Sequence, residues 1–140
     1  MFGPPDLGPV EFERLARRST PNDALACPAG LCAARIDLEP PTYAVDAAAL
    51  RAALAAVIAG EPKTERVAAD DATLTDRYVQ RTALMGFPDT IVVRALEQPG
   101  GRSTLAIYAR SQLGRSDLGA NRARIERWLA KLGDKVPIVR

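Results

Sequence analysis

A short polar block near the carboxyl end of the sequence carries the side chains best suited to chemistry. Ser116 and Asp117 are followed by Asn121 and Arg124, so a hydroxyl, a carboxylate, an amide and a guanidinium fall within nine residues. Asn121 and Arg124 are three residues apart, and residues at that spacing share one face of a helix. The block therefore predicts a cluster of polar side chains at the start of a helix.

Two further residues extend this cluster. Arg94 interrupts a β-type run of apolar residues, and a buried guanidinium needs an acidic partner such as Asp89 or Asp117. One interpretation is an anion-binding or partner-binding corner, with charge from the arginines and donors from Ser116 and the helix N-terminus. The other is a network of salt bridges and caps that ties the last helix to the sheet. The candidate site comprises Asp89, Arg94, Ser116, Asp117, Asn121 and Arg124.

The composition argues against most catalytic chemistry. The chain has no histidine, which removes the commonest general base and the commonest metal ligand. Asp89 and Asp117 could in principle be paired acids, but nothing in their spacing supports that role. No nucleophile elbow, Walker loop or dinucleotide fingerprint is present. We expect no catalytic residues, no cofactor and no metal.

Cys27 and Cys32 are the two cysteines, in the stretch Cys-Pro-Ala-Gly-Leu-Cys. Without histidine they cannot complete an ordinary structural zinc site unless a second chain contributes. Their spacing differs from the Cys-x-x-Cys redox motif. They either close a small disulfide in an oxidising compartment or remain as reduced, partly buried thiols.

The positive charge is concentrated at the carboxyl end. The range 102–140 holds nine Lys or Arg against three Asp or Glu, although the net charge of the chain is only +2. A basic third suits nucleic acid, anionic lipid, an acidic partner or simply a solvated helix face. The scattered tyrosines argue against nucleic acid, and no apolar window is long enough for a transmembrane span. The opening residues lack a secretory signal, so we expect a cytoplasmic protein, or a periplasmic or envelope protein if a leader was removed.

Hydrophobic periodicity predicts two helices and four strands. The first helix spans 47–59 and has Asp46 as its N-cap, and the last helix runs from about Leu118 to Leu132. The last helix is expected to bury Leu118, Ile125, Trp128, Leu129 and Leu132. Short connections make the strands antiparallel neighbours, at 64–69, 74–84, 90–97 and 103–110.

The first 45 residues hold seven of the eleven prolines. Proline fixes the backbone and removes a donor, so the segment is predicted to be mostly extended rather than a sheet or a long helix. We expect 1–45 to form a Pro-rich strap over the domain formed by 46–140, with five apolar anchors: Phe12, Leu15, Leu25, Leu31 and Ile36. The fold class is α+β, a two-layer, four-stranded antiparallel meander flanked by an N-side helix and a C-terminal helix.

With these elements in order, the chain resembles the uncharacterised domain-of-unknown-function family 1499 of bacteria and plastids. The resemblance covers nearly the whole chain and includes Pro21-Asn22, Phe87-Pro88-Asp89 and Arg94. It is most specific in the terminal block, through Ser111, Gly114, Ser116, Asp117, Leu118, Gly119, Asn121, Arg124 and Ile125. The resemblance implies a fold and supplies no established activity.

The sequence departs from the family pattern at three places. Thr90 stands where relatives often have a second aspartate, Gln112 where they have arginine, and Tyr108-Ala109 where they have Arg-Ser. A polar site built on those positions would be altered here. Many relatives also carry an N-terminal membrane or export segment, which this sequence lacks.

The leading hypothesis is a non-catalytic accessory or binding domain that docks on a partner protein or a membrane-associated assembly. The alternatives are a small-ligand or lipid-binding domain, and an enzyme with an Arg/Asp/Ser/Asn site. A catalytic site predicts that Arg94, Asp89, Ser116 and Asn121 point into a concave pocket. An accessory domain predicts that they are paired with one another.

Overall fold

The chain folds around a five-stranded antiparallel sheet with two α-helices on one face. The computed structural model describes residues 6–82, 86–114 and 116–140. In chain order the elements are a 3-10 turn Phe12–Arg14, β1 Asp23–Ala26, α1 Ala47–Ala59, β2 Thr64–Asp70, β3 Thr75–Arg81, β4 Pro88–Gln98, β5 Arg102–Ser111 and α2 Ala120–Gly133. The strand order across the sheet is β1-β5-β4-β3-β2.

The sheet has one strand more than predicted. The meander of β2 to β5 has the expected order, but β1 pairs antiparallel with β5 and forms the opposite edge. The prediction that the segment 1–45 contains no sheet was therefore wrong. The residues Asp23–Ala26 are aspartate, leucine and two alanines, of which aspartate and alanine are depleted in strands. Pairing with β5 thus outweighs weak local propensity.

Alternation along β4 decides which side chains can meet. Asp89, Ile91 and Val93 point to the side that carries the helices, where Ile91 and Val93 join the main apolar cluster. Val92 points the other way, into a second apolar cluster. Because side chains alternate along a strand, Arg94 shares the face of Val92 and lies on the side opposite Asp89.

The first helix forms as predicted. Asp46 is the N-cap of α1, and its Oδ1 accepts a hydrogen bond of 2.8 Å from the Ala49 amide. The buried residues of α1 recur at spacings of three and four and face the sheet: Ala47, Leu50, Leu54, Val57 and Ile58. This apolar stripe holds the helix on the sheet.

The second helix begins at Ala120 and buries Ile125, Trp128 and Leu132. Leu118 lies before the helix, and 95% of its surface is exposed, so its predicted place in the core was wrong. Its φ angle of 54° is in the left-handed region, which breaks the helical periodicity on which the prediction rested. Leu118 belongs to the stretch 111–125 that carries the family resemblance, which we call the family-like block. This leucine is therefore exposed to solvent.

The second face of the sheet is covered by residues from the amino-terminal part of the chain. The second apolar cluster is formed by Phe12, Leu25, Cys27, Val92, Ala106 and Tyr108, with Leu15, Leu31, Cys32 and Ile36 partly buried against it. Cys27 and Cys32 are joined in a disulfide bond, one of the two states that the sequence left open. The division into a strap 1–45 and a domain 46–140 stays a prediction. Residues 1–5 and the predicted end of a strand at Leu84 lie outside the described residues.

Candidate functional site

Arg124 lies at the centre of the polar cluster and is only 6% exposed. Its Nε donates to Gln80 Oε1 at 2.6 Å, and its Nη2 donates to Asp89 Oδ2 at 2.6 Å. Its Nη1 donates to Asn121 Oδ1. All three nitrogens of the guanidinium therefore donate hydrogen bonds to partners inside the protein, one of which is a buried carboxylate.

Asn121 continues the network toward the sheet. Its side chain is fully buried, and Nδ2 lies within hydrogen-bond distance of three acceptors. These are Asn22 O at 3.1 Å, Ser111 Oγ at 3.0 Å and Asp117 Oδ2 at 2.7 Å. Because Asn22 precedes β1 and Ser111 ends β5, this one amide joins the start of α2 to both strands.

Asp117 occupies the amino end of α2. Its Oδ1 accepts from the Gly119 amide at 2.8 Å and its Oδ2 accepts from the Asn121 amide at 3.2 Å. A carboxylate at this position also suits the positive end of the helix dipole. Two backbone amides at the start of α2 are therefore already engaged by the protein's own carboxylate.

Gly119 precedes α2 instead of lying in its first turn as predicted. Close packing is not the reason for a glycine here, because a Cβ atom at this position would meet no atom within 4 Å beyond its chain neighbours. Its φ angle of 81° is the reason, since the left-handed region favours glycine. Ser116 contributes to the same turn, because its Oγ accepts from the Leu118 amide at 3.1 Å.

Glu61 is a second buried carboxylate and was not among the predicted site residues. Its Oε1 accepts from Arg127 Nη2 at 2.6 Å, Trp128 Nε1 at 2.8 Å and Gln80 Nε2 at 3.3 Å. Lys131 Nζ approaches Oε2 at 3.2 Å. Burial alone would raise the pKa of Glu61, but these donors outweigh it and lower the pKa to about 2. Gln80 bridges this carboxylate to Arg124, so the two clusters form one network.

Arg94 does not belong to the network. On the opposite face of the sheet its Nη1 pairs with Glu13 Oε2 at 3.2 Å, and the Glu13 side chain is half exposed. The structure thus brings Asp89, Asp117, Asn121 and Arg124 together and separates Arg94 from them.

The face that carries Arg94 also holds a cleft of about 740 Å³. Its lining includes Glu13, Arg94 and Arg77, together with residues of the β2–β3 hairpin. Arg94 pairs with Glu13, and Arg77 pairs with Asp6 at 2.8 Å. The cleft is therefore lined by charges that are already paired.

The network also contains Gln80, Asn22 and Glu61, which were not among the predicted site residues, and the first two left a signal in the sequence. Gln80 has the parity of Tyr78 in β3, so alternation alone would place it on the helix side of the sheet. Asn22 was noted only as part of a family-like dipeptide, although a polar residue before a short strand often satisfies a turn. Glu61 follows the last turn of α1, and no local pattern marks its contacts with α2.

The chemistry of the cluster is that of a closed structural unit. Asp89, Ser111, Asn121 and Arg124 are buried and hydrogen-bonded to one another or to backbone, which is how proteins accommodate polar groups in their interior. Within the described ranges no group of histidine, cysteine, aspartate or glutamate is arranged to hold a metal ion. In the same part of the chain no helix is long and apolar enough to cross a membrane.

No curated protein matches the chain. Residues 15–132 match the family described as protein of unknown function (DUF1499), and this range includes every residue of the network described above. The chain therefore belongs to the DUF1499 family.

Proposed function

We propose that the protein is a non-catalytic accessory domain that docks on a partner protein or a membrane-associated assembly. The proposal rests on a difference between the polar side chains of the family-like block and Leu118. Asp117, Asn121 and Arg124 in this block bind other groups of the protein, whereas Leu118 turns outward with 95% of its surface exposed. What this block offers to another molecule is an apolar side chain held in a fixed position.

The backbone around Leu118 supports this proposal. A leucine at a φ angle of 54° carries a strain on the order of 1 kcal/mol or more. The turn holds it there, because the Leu118 amide donates to Ser116 Oγ and the next amide donates to Asp117. Burial does not offset that strain, and a side chain kept exposed at such a cost suits recognition.

The alternative of an enzyme with an Arg/Asp/Ser/Asn site has less support from the geometry. Asp89, Asn121 and Arg124 spend their polar atoms on one another, and Arg94 lies across the sheet. A reacting group would have to displace contacts that hold α2 in place. For these reasons we assign the pairing a structural role.

A small-ligand function is the second candidate, on account of the cleft beside Arg94. Its volume of about 740 Å³ is within the range of small-molecule sites, although its lining is more charged than is usual. A thermal-shift screen of small charged and apolar compounds tests it. Stabilisation that is lost in an Arg94→Ala variant would favour this second candidate over the first.

The Cys27–Cys32 disulfide bears on the compartment. Structural disulfides persist in oxidising environments, so the bond supports a periplasmic or envelope location over the cytoplasm. Alkylation of free thiols in intact cells, followed by mass analysis, measures the oxidation state. Two alkylated cysteines would return the assignment to the cytoplasm.

Affinity capture tests the docking function directly. Tagged wild-type protein and a Leu118→Ser variant are incubated with native bacterial membranes, and the bound fraction is measured. The wild type is expected to bind and the variant to bind at least about tenfold more weakly, while both keep the same thermal midpoint. Equal capture of the two proteins, or no capture of either, contradicts the proposal.

A further inference from the structure

Exposed apolar side chains gather at one end of the molecule. Among the residues that the structure describes, five large apolar side chains are exposed, and four of them lie at the end of the sheet where β4 begins and β5 ends. We call this set the loop-end surface: Leu7, Phe87, Leu113 and Leu118. The fifth, Val67, lies in the middle of the edge strand β2.

Hydrogen bonds between the segments place these side chains at a common end. The Leu7 amide donates to Thr90 Oγ1 near the start of β4, and Gln112 Nε2 donates to the same oxygen from the far side. The Gln112 amide donates to Pro88 O, which joins the loop after β5 to the chain beside Phe87. The loop-end surface is therefore built from three segments that are tied to one another.

Arginines without carboxylate partners surround this surface. Arg18 donates to Ser111 O at 2.8 Å, at the end of β5, and Arg81 donates to Gly86 O at 3.0 Å, at the end of β3. Arg110 donates to the carbonyls of Leu7 and Gly8. In the described part of the chain none of these three guanidinium groups forms an ion pair.

Three carboxylates at this end are already engaged, and Glu65 lines an exposed recess together with Arg81. Asp89 pairs with buried Arg124, Asp117 binds the amides at the start of α2, and Asp6 pairs with Arg77. The loop-end surface thus combines protruding apolar side chains with cationic charge that the protein itself does not neutralise. Such a surface is complementary to a second surface that presents anionic groups at its outside and an apolar layer below them.

The shape of the surface favours a bilayer over a folded partner. None of the four side chains lines the 740 Å³ cleft or the recess of about 350 Å³ beside Ser116, and each comes from a segment outside the helices and strands. A protein partner must match such separated projections in shape over roughly 1,000 Å² or more. A lipid surface accommodates them without a preformed match.

We propose that the loop-end surface docks on an anionic lipid bilayer. Leu118, Leu113 and Phe87 enter the boundary between headgroups and acyl chains, and Arg18 and Arg81 face the anionic headgroups. This inference rests on the proposed docking function and names the chemistry of the surface that the domain contacts.

Protein-free vesicles provide the test. The full chain is floated with phosphatidylcholine vesicles that contain about a third phosphatidylglycerol, and with phosphatidylcholine alone, and the bound fraction is measured at low and high salt. Binding is expected to the anionic vesicles, to weaken with salt, and to fall about tenfold or more in Leu118→Ser. An Arg18→Gln/Arg81→Gln variant should bind both vesicle types alike.

Val67→Ser is the matched control, because Val67 is an exposed apolar residue away from the loop-end surface. It should bind the anionic vesicles as the wild type does. Leu113→Ser, which changes a second exposed side chain, is expected to weaken binding and replaces Leu118→Ser if that variant unfolds. An equal loss in Val67→Ser overturns the inference, because binding would then be non-specific.

The remaining outcomes separate the two proposals. Absence of vesicle binding, together with Leu118-dependent capture by native membranes, overturns the lipid inference and leaves a protein partner. Absence of both overturns the docking function as well.

Discussion

Two arginines on opposite faces of the sheet, Arg124 and Arg94, lie in different surroundings. On the helix side Arg124 is buried and bonds Gln80, Asn121 and Asp89. On the other side Arg94 is partly exposed, pairs with Glu13 and lines the cleft beside the β2–β3 hairpin. The sequence offered both arginines as members of one candidate site.

The difference shows that burial determines how much stability is lost when one partner of an ion pair is removed. A buried ion pair that loses one partner leaves the other charge without water or counter-charge. A surface pair that loses one partner leaves a charge that water solvates well. Removing one partner of the buried Arg124–Asp89 pair should therefore cost far more stability than removing one partner of the half-exposed Arg94–Glu13 pair.

The largest expected effect is that of Arg124→Ala. The substitution leaves Asp89 buried without its cation, and we expect a loss of about 3 to 5 kcal/mol in the free energy of unfolding. Urea denaturation followed by circular dichroism measures it. A loss below about 1 kcal/mol would mean that the network around Arg124 does not stabilise the fold.

The pH dependence of Glu61 comes next. Its pKa of about 2 in the folded protein lies below the ordinary value of 4.5. Its contribution to the free energy of unfolding is therefore complete above pH 4.5 and is lost as the pH falls toward 2. We expect ionised Glu61 to contribute on the order of 2 to 3 kcal/mol to the free energy of unfolding. This is less than the full pKa shift would give, because Arg127 and Lys131 are half exposed.

Glu61→Gln isolates this contribution. The variant should be less stable than the wild type at pH 7, and the difference in unfolding free energy should narrow between pH 4.5 and pH 2. A difference that stays constant across that range would show that ionised Glu61 does not stabilise the fold.

On the other face the disulfide should contribute more than the Arg94–Glu13 pair. Closing the loop between Cys27 and Cys32 restricts the unfolded chain, which by the entropy relation is worth about 2 kcal/mol. Thermal unfolding with and without a reducing agent tests this, and a Cys27→Ala/Cys32→Ala variant should not respond to the reductant. An unchanged midpoint in the reduced wild type would contradict the expectation.

The smallest expected effect is that of Arg94→Ala. Its partner Glu13 is half exposed, so the pair should contribute about 0.5 kcal/mol or less. The measurement is the same urea titration used for Arg124→Ala. A loss comparable to that of Arg124→Ala would remove the contrast between the two faces.

Most of the secondary structure could be predicted because it follows from local pattern. The bounds of α1 were predicted to the residue, and the four strands of the meander were found within a few residues of their ends. Leu118 was wrongly predicted to lie in the core, because its left-handed backbone puts it before the helix and not in it. Hydrophobic spacing does not reveal a φ angle. Strand β1 was missed because its stability comes from pairing with β5.

The candidate site was predicted in part. Asp117, Asn121 and Arg124 lie within one turn of a helix start, so their proximity follows from spacing. Asp89 and Arg94 are five residues apart on one strand, and an odd separation places two side chains on opposite faces. That parity could have separated Arg94 from the site. The contact of Glu61 with α2 depends on how two helices pack, which the sequence alone does not specify.

The most direct test is a double-mutant cycle between Asp89 and Arg124, which asks whether the inward side chains of the family-like block form one coupled structural unit. Unfolding free energies are measured for Asp89→Asn, Arg124→Met and the double variant. We predict a coupling of about 2 kcal/mol or more, with the second substitution costing far less than either does alone, because each single variant strands a buried partner. Costs that add to within about 0.5 kcal/mol would contradict a coupled network and return these residues to the search for an active site.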